Sequence, residues 1–96
     1  MSTSTLPAGV DRASLSNCEA RLRSVFSPDT VVWITDEQYE ENGPIWRVTL
    51  IYQNEMGAWR RRRYRYDIPS DTLHYTGEAP VSDSELAAAR ATGRRL

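Results

Sequence analysis

The apolar positions of this chain change period twice. From Asp11 to Phe26 they recur at helical spacing, from Val31 to Tyr75 they fall on alternate residues, and after Ser82 the helical spacing returns. In the first stretch Leu15, Cys18, Leu22, Val25 and Phe26 form one stripe, which predicts a helix with a single buried side. Asp11 suits the N-cap, Val10 and Leu15 occupy the two positions of a hydrophobic staple, and Pro28 stops a helix expected to reach about Phe26.

The middle stretch is rich in Val, Ile, Trp, Tyr and Thr and is punctuated at Asn42-Gly43, Asn54 to Gly57 and Pro69 to Asp71. This predicts four antiparallel strands near 31–39, 45–53, 58–67 and 72–76. A two-residue turn at Asn42-Gly43 would put Val32 and Ile34 on the face opposite Trp46, Val48 and Leu50. A three-residue loop over Glu41-Asn42-Gly43, with the glycine left-handed, aligns Val32 and Ile34 with Leu50 and Tyr52 and pairs Glu37 with Arg47. The same loop at Glu55-Met56-Gly57 sets Val48 against Tyr64, Trp46 against Tyr66 and Arg47 against Arg65. One face then carries Val32, Ile34, Trp46, Val48, Leu50, Tyr52, Tyr64, Tyr66 and Ile68, a core for the first helix to cover. The other carries Trp33, Tyr39, Arg47, Trp59, Arg61, Arg63 and Arg65 among threonines, and is the candidate binding face.

In the last stretch Ser82 and Glu85 make a capping box and Val81 and Leu86 a staple, predicting a helix over 83–92. Gly93 can end it, leaving Arg94-Arg95-Leu96 as a basic tail beside the helix dipole. The expected fold is α+β: an N-terminal helix packed on a four-stranded antiparallel meander, then a short C-terminal helix. Residues 1–9 are expected to be a flexible tail and 10–96 a single domain.

Composition narrows the compartment and the partners. Ninety-six residues suffice for one core, and no apolar run is long enough to span a bilayer. Residues 1–9 lack the basic end and apolar stretch of a secretory signal, and the lone Cys18 permits no internal disulfide, so a cytoplasmic protein is expected. The net charge of −1 hides an asymmetry, because residues 1–44 hold three arginines and seven acids whereas 45–96 hold nine arginines and six acids. All twelve cations are arginine, whose planar head stacks and binds anions in bidentate fashion as lysine cannot.

The segment Trp59-Arg60-Arg61-Arg62-Arg63-Tyr64-Arg65-Tyr66 concentrates that chemistry. A solvated strand face, its stems lying over apolar neighbours and some charges neutralised by Asp36, Glu37, Glu40 and Glu41, needs no ligand. Against that, Arg47 and Arg65 stand opposite one another, which is unfavourable without an anion or Glu37 nearby. Aromatics interleaved with arginines suit single-stranded nucleic acid, and they equally suit an acidic protein or peptide surface, the acidic hairpin of a second copy included. A chain with no net positive charge argues against a dedicated nucleic-acid binder.

Elsewhere the sequence is chemically quiet. Cys18 lies on the helix stripe, where a thiol is inert. His74 is flanked by Leu73 and Tyr75 in a strand and brings no nucleophile or ligand with it. The acids around Glu40 lack the spacing of a calcium loop, and Gly43 and Gly57 are turn residues. A non-enzymatic role without cofactor or metal is expected.

Asn42-Gly43-Pro44-Ile45-Trp46-Arg47-Val48-Thr49-Leu50, followed by an aromatic-rich strand to Asp67 and a turn to Leu73, resembles the pattern of PepSY-type domains. The resemblance covers roughly residues 12–76. It implies a helix on an antiparallel sheet, related in shape to cystatin-like proteins, with a binding or inhibitory role and no catalysis.

Overall fold

The computed structural model describes residues 12–40 and 45–96, with side chains of the first helix from Ser16 onward. The chain runs α1 (Arg12–Arg23), β1 (Val32–Glu40), β2 (Ile45–Gln53), β3 (Trp59–Asp67), β4 (Thr72–Pro80), α2 (Asp83–Thr92) and β5 (Arg94–Arg95). The strands form one antiparallel sheet in the order β4-β3-β2-β1-β5. It is the expected α+β meander with an additional short strand at one edge. The cap at Asp11, the Val10–Leu15 staple, the tail 1–9 and the loop Glu41-Asn42-Gly43 lie outside the described residues.

Helix α1 stops three residues before the expected Phe26. Its last turn tightens, with Val25 N–H donating to Leu22 and Phe26 N–H to Arg23. The Arg23 guanidinium donates to the carbonyls of Ser27, Pro28 and Thr30, supplying donors to a turn that Pro28 takes out of helical geometry. Cys18 and Leu22 are fully buried, Phe26 packs on the rim of the core, and Val25 is left exposed.

Beneath α1 the core contains Val32, Ile34, Trp46, Val48, Leu50, Tyr52, Tyr64 and Tyr66, as alternation predicts, with Ile68 and Leu73 at its margin. Trp46 is completely enclosed, and its indole N–H donates to Glu37 Oε1 at 3.3 Å, so the buried ring keeps its polar atom satisfied. The β2–β3 register is as expected: Val48 faces Tyr64, Trp46 faces Tyr66 and Arg47 faces Arg65. Gly57 sits at φ +82°, left-handed, in the three-residue loop, and Asn54 Oδ1 accepts from the N–H groups of Met56 and Ala58.

The β1–β2 pairing corrects the expectation in its outer half. Val32 faces Tyr52 and Ile34 faces Leu50, but Asp36 faces Thr49, leaving Thr35 as the extra residue of a β-bulge. Beyond it the strand exchanges faces. Glu37 therefore faces Val48 rather than Arg47, and Tyr39 faces Trp46 on the core side instead of joining the arginines. Burial pushes the Tyr39 phenol up to about 12, with the Glu37 carboxylate adding to the effect.

Strand β4 extends to Pro80, four residues beyond the expected end, with a second bulge at Thr76. Helix α2 spans the expected residues, and Ser82 Oγ accepts from Glu85 N–H at 3.2 Å. Gly93 ends it through close approach, since a Cβ there would meet the Ala89 carbonyl oxygen at 2.4 Å. The expected basic tail is instead β5. Arg94 and Arg95 pair with Ile34 and Trp33, and Leu96 packs on the core and donates its N–H to Val32.

Candidate functional site

Alternation along β3 sends its five arginines to two different places. Arg60 and Arg62 lie on the α1 side. There the Arg62 guanidinium stands 4.5 Å from the Tyr52 ring centre, 5.6 Å from that of Tyr75 and 5.8 Å from that of Phe26. It donates to Tyr64 Oη at 3.1 Å and pairs with Glu78. Glu78 also pairs with Arg60 at 3.2 Å and accepts from Tyr52 Oη at 2.8 Å. Burial opposes the Arg62 charge, but the bonds to Glu78 and Tyr64 outweigh it and raise its pKa. The Arg62 bond in turn holds the Glu78 carboxyl below its ordinary range, against a smaller opposing effect of burial. These two arginines are structural, cementing the β3–β4 edge to the end of α1.

Trp59, Arg61, Arg63 and Arg65 point to the other face, which they share with Trp33 and Arg47. Six of the seven residues expected there are brought together, and Tyr39 is not. Helix α2 crosses one half of this face on its way from β4 to β5. Arg61 pairs with Glu85 at 2.8 Å, Arg90 lies 5.5 Å over the Trp59 ring, and Arg95 lies 5.4 Å over the Trp33 ring. Ile51, between Trp33 and Arg61 in the sheet register, is fully enclosed, and Ala89 of α2 is nearly so. Sequence reasoning missed this cover. Its signal is Ile51, an aliphatic residue on the arginine and tryptophan face, matched by Leu86 and Ala89 at helical spacing in α2.

The half that α2 leaves open is built in two rows across the strands. One row runs Gln38, Arg47, Arg65, His74 and the next Asp36, Thr49, Arg63, Gly77. Asp36, Gln38, Arg47, Thr49, Arg63 and Thr76 line a shallow hollow of about 150 Å³ between them. Arg47 pairs with Glu40. No carboxylate of the described residues lies within ion-pair distance of Arg63 or Arg65, and the Arg65 Nε–H is buried without an acceptor. No known family model, characterised protein or solved structure matches this chain.

A larger hollow of about 570 Å³ opens between α1 and the β3–β4 turn, lined by Asn17, Ala20, Arg21, Ser24, Tyr66, Ile68 and Asp71. Its charges are spent internally, since Asp71 takes both Arg21 and the Tyr66 hydroxyl. Asp71 itself adopts φ +52°, a conformation that aspartate accepts more readily than most residues. Burial and that hydrogen bond push the Tyr66 phenol up to about 12. Cys18 lies in the core above, its thiol pushed up to about 11 by burial, which leaves little thiolate for nucleophilic chemistry. Among the described residues no cluster of three potential metal ligands occurs, and no helix is long and apolar enough to cross a membrane.

Proposed function

We propose that this protein is a non-enzymatic interaction module whose open arginine face, centred on Arg63 and Arg65, takes an acidic segment of a partner protein. The observation that carries the reading is the unequal treatment of one strand's cations. Arg60, Arg61 and Arg62 each hold a carboxylate, while Arg63 and Arg65 hold none among the described residues, and Arg65 sits directly across from Arg47. Glu40 answers the Arg47 charge, an incoming carboxylate would answer those of Arg63 and Arg65, and arginine is a common anchor of protein contacts. A single-stranded nucleic acid would need aromatic faces on which to stack, and the two tryptophans on this face each have a guanidinium over the ring.

Fluorescence anisotropy with a labelled oligoglutamate peptide and with mixed-sequence single-stranded DNA tests the reading at low and physiological salt. The peptide is expected to bind, and Arg63→Glu with Arg65→Glu is expected to weaken it by tenfold or more while circular dichroism is unchanged. Equal affinity in the folded double variant would remove this face. Preferential binding of DNA, with a steep salt slope and tryptophan quenching, would replace the acidic segment by nucleic acid.

A further inference from the structure

Resting on that acidic-partner reading, we infer that the partner docks as an extended strand added to the outer edge of β4 over Thr72–Tyr75. β4 ends the sheet order, so no strand of the described residues lies against its outer side, whereas the opposite edge is partly closed by β5. Natural edges discourage pairing with charge, proline and bulges. In β4 these devices fall in the second half: the bulge at Thr76, the Glu78 carboxylate and Pro80. Thr72, Leu73, His74 and Tyr75 contain none of them.

The two faces of that edge state what the added strand must carry. On the open face His74 completes the row Gln38, Arg47, Arg65, His74, so the next strand, about 4.8 Å away, sets one side chain directly beside the imidazole. A carboxylate there answers the cationic row. On the α1 face Tyr75 is 57% exposed, stands edge-on to Tyr64 with ring centres 5.9 Å apart, and has no neighbour on its outer side among the sheet strands. An apolar side chain there covers it. The fitting ligand is therefore an extended segment alternating acidic and apolar residues, a main-chain recognition mode in which side chains of alternate parity set specificity. A second copy pairing edge to edge would bring another row of Arg47 and Arg65 toward this edge and no carboxylate, so it lacks the acidic side chain that the row calls for.

The probe is a labelled ten-residue peptide alternating glutamate and valine, compared with the same peptide N-methylated on every amide, which keeps the charge and removes the N–H donors from both edges of the strand. The unmodified peptide is expected to bind at least tenfold more tightly and to slow hydrogen exchange of β4 amides between Thr72 and Tyr75. His74→Glu is expected to weaken it by tenfold or more. Equal affinity of the two peptides, or binding without β4 protection, would overturn strand addition while leaving an acid-binding face in place. Failure of these peptides and of oligoglutamate alike would remove both.

Discussion

At the scale of single residues, Glu78 holds together side chains of two strands besides its own. Its carboxylate joins Arg60, Arg62 and Tyr52, and through Arg62 it ties the edge strand to Phe26 at the end of α1. Its pKa lies below the ordinary 4.5, held there first by Arg62. A carboxyl depressed in the folded state stabilises the fold above its unfolded value and loses that contribution as pH falls through the folded one. Glu78→Gln is accordingly expected to cost about 1–3 kcal/mol near neutral pH and progressively less as the solution is acidified below the ordinary carboxylate range. Urea unfolding of parent and variant across that interval checks this, and parallel acid profiles would show that another group governs the acid limb. Tyr39 shows why one member of the candidate set was misplaced at this scale. Its side is decided by a bulge four residues earlier, which no property of tyrosine announces.

At the scale of elements, the legibility of each hairpin follows from its turn. The β2–β3 register could be read because Gly57 at φ +82° fixes a three-residue loop, and no bulge interrupts the pairing of the flanking strands. The β1–β2 register could be read only as far as Ile34, because Glu40 stands opposite Ile45 and the bulge at Thr35 absorbs the difference. Two departures of one residue cancel in the core and show only in Glu37 and Tyr39. The C-terminal strap was half legible, since capping chemistry specifies α2 locally while nothing local specifies where it docks. β5 secures that docking. Arg94 pairs with Glu19 of α1 and Glu37 of β1, both at 2.7 Å, and Leu96 joins the core. Removing residues 93–96 is expected to lower the unfolding midpoint and to raise acrylamide quenching of tryptophan as Trp33 and Trp59 lose their cover. Unchanged quenching would mean that Glu85 and Ala89 hold α2 down unaided.

For the molecule as a whole, the sequence-level charge asymmetry becomes a spatial one. The formal charge of −1 is divided so that pairing consumes the arginines nearest the C-terminal strap and leaves those at the far end of the same strand. α1 and α2 cover opposite faces of one sheet, and the length of α2 decides how much of the arginine face stays open. The arginine run therefore meets two unlike environments at every step, an aromatic and acid-bonded one on the α1 side and a solvent-facing or helix-covered one on the other. A systematic replacement of Arg60 to Arg65 by lysine should read out this alternation directly. At Arg62, where planarity lets one head meet three rings, lysine is expected to reduce stability, whereas at Arg63 it should be silent. Tolerance to substitution should rise and fall along this segment with a period of two, so that neighbouring codons, spelling the same amino acid, drift under unrelated constraints.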